Sequence, residues 1–270
     1  MKIFSIFAQS KENYTNNHTI MKKALRIAAL ALLTMGMVAC DPTEDNDNSN
    51  NNGNNTNDST PTNPTIPAST TEGEWIDLGL PSGLLWYSVN LGSTTPEGFG
   101  DYYAWGETQP KSFYSWTNYA YGNSDDKITK YCNISEFGLN GFTDTLTTLQ
   151  PSDDVATQVL GAGARIPTRE EWQELLDNTQ SDWTVRNGVY GRLFTADNLN
   201  ILFIPAAGNR YDSSLNRDGL DGDYWCSSLD MMASCFAWNY HFGEVLSDVY
   251  DGNHRCDGYT IRAVRPADKK

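Results

Sequence analysis

The stretch that decides the fold of this chain is RIPTREEWQELLDN, residues 165–178. Thr168 and Glu171 have the spacing of a capping box, in which each side chain accepts a hydrogen bond from the backbone N–H of the other residue. An apolar stripe at helical spacing follows, formed by Trp172, Leu175 and Leu176. The sequence therefore predicts a surface helix with one buried face.

The glutamates of this helix raise the alternative of a catalytic carboxylate pair. Glu170 and Glu174 are one helical turn apart, a spacing that a glycosidase-like pair would permit. Two carboxylates on a solvated helix face are far more often simple surface charge. We therefore predict that the helix is architectural.

Short helix and strand signals surround this helix. Residues 152–161, SDDVATQVLG, predict a second short helix that begins at a candidate N-cap, Ser152, and ends at a glycine. Its apolar residues have helical spacing: Val155, Val159 and Leu160. Residues 74–93 indicate strand, turn, strand, and the glycine-rich and aromatic segment 96–111 predicts packed loops. Buried or alternating strands are expected in ILFIPAAG (201–208), DYWCSS (223–228), SCFAWNYHFG (234–243) and GYTIRAVRP (258–266).

The N-terminal region predicts export. Residues 21–40, MKKALRIAALALLTMGMVAC, have the layout of a secretory signal peptide. Their apolar run is too short for a hydrocarbon layer of about 30 Å, which needs about 20 residues. Because Ala39 precedes Cys40, the segment resembles a bacterial lipobox, which implies acylation of Cys40; ordinary cleavage near Ala39 is the alternative. We interpret residues 1–20 as a start-site extension.

Composition divides the remaining chain into a tether and a domain. Residues 41–72 consist mainly of Asn, Asp, Thr, Ser and Pro, which predicts a disordered tether. Its acidic start resembles the signal that sends some Bacteroides-group lipoproteins to the outer face of the outer membrane, which implies a lipid-anchored, surface-exposed protein. Residues 73–267 are rich in aromatic residues and glycine and predict one domain.

The net negative charge of the chain restricts the classes of molecule that it can bind. The chain has 34 acidic and 19 basic residues; one acidic and five basic residues lie in residues 1–40, so the remainder carries −19. Such a surface repels nucleic acid and anionic membranes. We therefore expect no nucleic-acid partner, and membrane contact through the lipid anchor only.

The sequence gives little support for metal sites. Four further cysteines in an exported chain allow three disulfide pairings, while free buried thiols are the alternative: Cys132, Cys226, Cys235 and Cys256. The spacing does not indicate zinc. Calcium binding by Asp218, Asp221 and Asp223 is possible, although acidic residues beside glycines are more simply turn residues. We expect no cofactor, with calcium as the alternative.

Six ordered motifs carry a family resemblance: IDLGLPSGLLW, GDYYAWGET, RIPTREEWQEL, FIPAAGNR, GDYWCSS and IRAVRP. Together they resemble the Fibrobacter succinogenes major paralogous domain, common in exported proteins of Bacteroidetes. RIPTREEW and IRAVR also resemble motifs of the formylglycine-generating enzymes. The helix and strand patterns predict an α+β domain with two short helices and a mainly antiparallel sheet. The resemblance implies that this domain has a C-type-lectin-like fold of the formylglycine-generating-enzyme variant, with long loops and termini close together.

The resemblance does not transfer an activity. Formylglycine-generating enzymes use a copper-binding cysteine pair, but Cys226 and Cys235 are nine residues apart and do not match that motif. The calcium-site tripeptides of sugar-binding C-type lectins are absent from the sequence, and so are GxSxG, HExxH and a phosphate-binding glycine loop. We therefore predict a non-catalytic domain, with a cysteine-dependent oxidase as a minor alternative.

The late loops supply the candidate binding residues. Residues 209–223, 228–234 and 244–258 are rich in Tyr, Asn, Asp, Ser, Arg and His, a mixture that antibody loops also use. By analogy with C-type-lectin-like proteins, these residues predict a face for a host or bacterial protein or glycan: Arg210, Tyr211, Asn216, Asn239, His241, Tyr250, His254 and Arg255. Ordinary solvated loops, or a structural component of a surface assembly, are the alternatives.

Overall fold

The computed structural model describes residues 73–161 and 163–267, without the side chains of Tyr250 and Asp251. The predicted start-site extension, signal peptide, Cys40 and tether lie outside these residues. No helix in the described part is long and apolar enough to span a membrane. Two α-helices are present: α1 (Val155–Leu160) and α2 (Arg169–Asp177). Single 3₁₀ turns occupy Trp116–Asn118, Leu139–Gly141 and Pro151–Asp153.

Eleven strands are formed by the described residues: β1 (Trp75–Asp77), β2 (Leu84–Tyr87), β3 (Thr179–Arg186), β4 (Val189–Ala196), β5 (Ile201–Pro205), β6 (Asn209–Tyr211), β7 (Ser214–Asn216), β8 (Gly222–Leu229), β9 (Phe236–Phe242), β10 (Ser247–His254) and β11 (Val264–Pro266). They form three three-stranded sheets, ordered β1-β2-β11, β3-β4-β5 and β10-β9-β8, and the two-stranded sheet β6-β7. Every ladder between named strands is antiparallel. The predicted α+β class with two helices and mainly antiparallel sheets is confirmed.

Helix α2 confirms the prediction from residues 165–178. The Thr168 hydroxyl accepts from the Glu171 N–H at 3.3 Å, and the Glu171 carboxylate accepts from the Thr168 N–H at 2.8 Å. Trp172 and Leu175 are fully buried, and Leu176 packs against the same core. Local capping and one apolar stripe therefore define this helix.

The glutamates of α2 have structural partners. Glu171 binds the Arg165 guanidinium through both carboxylate oxygens, at 2.6 and 2.5 Å. Glu174 accepts from the Ser82 N–H at 2.7 Å, which ties the helix to the β1-β2 turn. Glu170 is exposed. These positions fit the architectural interpretation of the helix.

Helix α1 corrects part of its prediction. Its N-cap is Asp154, whose carboxylate accepts from the Thr157 N–H at 3.0 Å, whereas Ser152 lies in the preceding 3₁₀ turn. Asp154 also accepts from the Ile166 N–H at 2.8 Å, so a contact outside the helix selects this cap. Val155 is buried, but Val159 is 59 % exposed. The predicted glycine end, Gly161, is confirmed.

The predicted strands are present, except that only Val264–Pro266 of the segment 258–266 forms a strand. Three other segments pair more than expected. The predicted loops at 209–223 and 244–258 contain the β6-β7 hairpin and strand β10. The hairpin β3-β4 was not predicted, although Asn187-Gly188 at its turn has the positive φ angles that this dipeptide favours. Strand β10 pairs with β9 across a bulge, so its side chains do not alternate regularly.

Aromatic rings fill the core. One cluster surrounds Trp172, which stacks on Tyr240 with ring centroids 4.5 Å apart and meets Trp86 edge-on at 4.7 Å. A second cluster holds the aromatic loops, where Trp225 stacks on Tyr259 at 4.1 Å. The sheet β10-β9-β8 lies between the two clusters, because Tyr224 and Cys226 of β8 contribute to the first cluster and Trp225 between them contributes to the second.

Candidate functional site

The late part of the chain builds a polar surface where the β6-β7 hairpin meets the sheet β10-β9-β8. Asn209 on β6 donates to the Asp223 carboxylate on β8 at 2.9 Å, which joins the two sheets. Side chains alternate along each strand, so Tyr211 lies on the same side of the hairpin as Asn209, and the cross-strand partner Asn216 faces with them. We call this surface the polar face: Asn209, Tyr211, Asn216, Asp223 and His241.

Asp223 is the centre of the polar face. Its side chain is 5 % exposed. The carboxylate accepts from Asn209, from the Asn239 amide at 3.3 Å and from Nδ1 of His241 at 2.8 Å. The sequence suggested a turn or a calcium ligand at this position. Three side chains from two other strands hold the carboxylate instead, and these hydrogen bonds make the centre of the polar face rigid.

His241 is the histidine of the polar face. Its side chain is 30 % exposed. Burial lowers the pKa of His241, but the hydrogen bond and charge of Asp223, together with the charge of Asp221, outweigh burial and raise the pKa above 6.5. Arg217 acts weakly in the opposite direction. The predicted ligand residue is therefore present at the surface, with an acidic partner behind it.

Three more predicted ligand residues come together on the β6-β7 hairpin. Tyr211 is 56 % exposed. Asn216 is partly buried, and its amide lies 3.4 Å from the Ser214 carbonyl. Arg210 points to the other side of the strand, where its guanidinium lies 4.9 Å from the centre of the Tyr102 ring. Tyr211 and Asn216 thus belong to the polar face, whereas Arg210 helps to fix the hairpin.

Two of the predicted ligand residues, Asn239 and Arg255, are buried in the structure. Asn239 is 0 % exposed and bridges Asp223 to the Asn253 amide, from which it accepts at 3.1 Å. It supports the polar face from below. Arg255 is also 0 % exposed and belongs to the core.

Arg255 is held by carbonyls and aromatic rings. Its guanidinium donates to the carbonyls of Lys130, Tyr131 and Ser234 at 2.9–3.0 Å and to the Tyr119 hydroxyl at 3.0 Å. It also lies 4.7 Å from the Trp105 ring centre. An arginine so placed joins three separate chain segments and cannot reach a ligand.

The last two predicted ligand residues are His254 and Tyr250. The His254 ring meets Phe236 and Trp116 edge-on, at centroid distances of 4.7 and 5.8 Å, and is only partly exposed. The Tyr250 backbone pairs with Asn239, and its side chain lies outside the described residues. His254 is therefore set among aromatic rings in the structure.

Asp257 is a titratable group near the polar face that sequence reasoning missed. Burial raises the pKa of its carboxyl to about 7, the Cys256 thiol hydrogen bond lowers it, and the charges of Asp223 and Asp212 add to the rise. The neighbouring Gly258 packs closely on the Tyr114 ring, since a Cβ there would lie 2.7 Å from the ring. No local signal in the sequence distinguishes Asp257 from an exposed turn aspartate.

Replacing Asp257 with asparagine is expected to stabilise the domain at alkaline pH. The raised pKa means that the wild type loses stability as the pH rises from the unfolded value of 3.8 through about 7, because the buried carboxyl ionises there. At about 1.4 kcal/mol per pKa unit, reduced for partial exposure, we expect Asp257→Asn to gain about 1–3 kcal/mol near pH 8 and little near pH 4.

Urea unfolding across this pH range measures the effect of Asp257→Asn. Asp218→Asn is the matched control, since it removes an exposed carboxylate from the same region. An equal gain in stability at acidic and alkaline pH would contradict the raised pKa of Asp257. Ionisation of the buried carboxyl would then not be the source of the gain.

Two of the three aspartates considered for calcium have protein partners. Asp221 is paired with Arg217, Asp223 accepts three side-chain hydrogen bonds, and Asp218 is exposed. Within residues 73–161 and 163–267, no group of three or more His, Cys, Asp or Glu side chains is arranged to hold a metal ion.

The four cysteines of the domain are free thiols. Cys132, Cys226, Cys235 and Cys256 are all buried. Burial raises the pKa of Cys226 far above its usual value and that of Cys235 to about 12. Because the thiolate is the form that attacks substrates and binds metals, these two thiols are poorly suited to the oxidase chemistry considered above.

A groove is lined by residues that do not belong to the polar face. This groove of about 400 Å³ is lined by Ile76 on β1, Val89, Ile201 and Phe203 on β5, and Arg186 at its rim. The Arg186 guanidinium is paired with Glu97 at 2.6 Å. None of the ligand residues predicted from the sequence lines this groove.

Comparison of the chain with protein families, curated proteins and solved structures finds no match.

Proposed function

We propose that this chain is a surface-anchored lipoprotein of the outer membrane whose folded domain binds a host or bacterial protein or glycan without catalysis. The signal peptide and lipobox-like end at Cys40 support the anchor. The observation that carries the binding role is the polar face, where exposed Tyr211 and partly exposed Asn216 and His241 lie beside the buried, hydrogen-bonded carboxylate of Asp223.

The residue types of the polar face suit recognition. Tyrosine supplies a large contact area with few rotatable bonds, and asparagine supplies adaptable donors and acceptors. The hydrogen bonds of Asp223 to Asn209 and His241 hold part of this surface before a ligand arrives. Such preorganisation reduces the entropy lost on binding.

The fold that we propose is C-type-lectin-like, of the formylglycine-generating-enzyme variant. Two short helices, mainly antiparallel sheets and the placing of β1 and β11 in one sheet support it. The burial of Cys226 and Cys235 favours the binding role over an oxidase.

Tyr211→Ala is expected to weaken ligand binding about 5- to 30-fold, because an exposed interface tyrosine that becomes buried commonly contributes about 1–2 kcal/mol. The test applies the detergent-purified chain to arrays of glycans and of host and bacterial surface proteins, with calcium and chelator arms. Tyr190→Ala is the matched control, since Tyr190 on β4 is 48 % exposed and Tyr211 is 56 % exposed.

Two outcomes of the array experiment would count against the proposal. Equal losses in Tyr211→Ala and Tyr190→Ala would move the binding surface away from the polar face. No binding to any array component would favour the alternative of a structural component. Pull-down from intact cells would then return only co-assembled proteins.

A further inference from the structure

The hydrogen bond between His241 and Asp223 decides which ring nitrogen carries a proton. Nδ1 of His241 lies 2.8 Å from an Asp223 oxygen. The same carboxylate accepts from the amide NH₂ groups of Asn209 and Asn239, so its oxygens act as acceptors. Nδ1 must therefore be the donor in this pair. The proton that His241 gains or loses on titration is then the one on Nε2.

Nε2 is the free end of the ring. The His241 side chain is 30 % exposed, whereas that of Asp223 is 5 % exposed. The hydrogen bond that the described residues make with this imidazole is the one at Nδ1. The neutral ring thus presents a lone pair on Nε2, and the protonated ring presents an N–H at the same atom.

The charged groups around His241 are mostly acidic. Asp223 on β8 and Asp248 on β10 are its cross-strand partners, so both side chains share its face of the sheet. Asp221 also acts on the ring, and Arg217 opposes it from the end of β7. Arg217 is paired with Asp221. The environment around a neutral His241 is therefore negative and suits a ligand group that donates a hydrogen bond.

We propose that Nε2 of His241, turned outward by Asp223, is the position of the polar face that accepts a hydrogen bond from a ligand hydroxyl or amino group, and that protonation of Nε2 abolishes this bond. Asp223 is then a positioning residue, and His241 determines specificity for donor groups. Affinity falls as the pH is lowered through the pKa of His241, because Nε2 changes from acceptor to donor.

The first test needs no ligand. In long-range ¹H–¹⁵N spectra of the full chain in detergent, the neutral His241 ring is expected to show a protonated Nδ1 and an unprotonated Nε2 above about pH 8. A neutral ring protonated on Nε2 would overturn the proposal. Diethyl pyrocarbonate, which acylates the unprotonated nitrogen, is expected to modify His241 about tenfold more slowly for each pH unit below its pKa.

Two variants distinguish the positioning of the His241 ring by Asp223 from the effect of a nearby negative charge. Asp223→Asn places an amide that can donate to Nδ1, so the outward acceptor is expected to be lost and the pKa of His241 to fall. Asp248→Asn removes the same charge from the other neighbouring strand and is expected to keep Nδ1 protonated. Equal effects of the two variants on the tautomer would refute the positioning role. If Asp223→Asn does not fold, the spectra of the wild type decide.

The ligand test rests on the proposed function. The glycan and protein arrays are probed at about pH 8 and about pH 5.5 with wild type and His241→Phe. We expect binding at least about tenfold stronger at the higher pH, and a loss of this difference in the variant. Binding that is independent of pH and of His241 overturns this inference alone. Absence of binding at both pH values contradicts the proposed function, while the spectra still decide the orientation of the ring.

Discussion

Arg255→Met is expected to lower the free energy of unfolding by about 3–5 kcal/mol. The methionine would fill much of the volume, but the carbonyls of Lys130, Tyr131 and Ser234 would lose a charged donor in the interior. The stacking of the guanidinium on the Trp105 ring would be lost as well. Denaturant unfolding followed by tryptophan fluorescence measures the change.

Arg186→Met is the control for Arg255→Met. The Arg186 side chain is 40 % exposed and pairs with Glu97, and such exposed pairs contribute about 0–1 kcal/mol. If the two variants lost similar amounts of stability, the buried hydrogen bonds of Arg255 would not stabilise the domain as its contacts indicate. A ligand-face role for Arg255 would predict the reverse result, a stable variant with reduced binding.

Trp172→Ala is expected to cost about 3–5 kcal/mol, because it leaves a large cavity at a fully buried position. Trp172 contacts Trp86, Tyr224 and Tyr240, so its removal affects all the rings at the centre of the cluster. Calorimetric unfolding measures the effect. Glu170→Ala, on the exposed side of the same helix, is expected to change stability by less than about 0.5 kcal/mol.

The two helix variants also test the interpretation of α2. A large loss of stability in Trp172→Ala with no loss in Glu170→Ala fits a helix whose role is packing. Loss of ligand binding in a fully folded Glu170→Ala would instead show that the exposed carboxylate side of α2 contributes to function.

Helix α2 could be predicted because its signals are local. Thr168 and Glu171 cap each other within one turn, and the apolar stripe needs only a sheet to cover it. The N-cap of α1 could not be chosen in this way, since Asp154 is selected partly by the Ile166 N–H twelve residues away. The β3-β4 hairpin had a usable local signal in Asn187-Gly188.

The polar face was predicted less well, because burial of polar residues depends on remote partners. Arg255 looks like a surface residue in its own loop, yet its partners Tyr119 and Tyr131 are more than 120 residues earlier in the chain. His241 was predicted as a ligand residue. Its partner Asp223 was considered as a turn residue or a calcium ligand, since only the pairing of β8 with β9 brings the two side chains together.

The central position of β2 has a mechanical consequence. Strands β1 and β11 flank β2 and are both antiparallel to it, so they run in the same direction. Tension applied between Trp75 at the start of β1 and Pro266 at the end of β11 would act along the strand axes. The hydrogen bonds of both ladders would then be sheared together, and the domain would resist stretching better than if its end strands were peeled away one bond at a time.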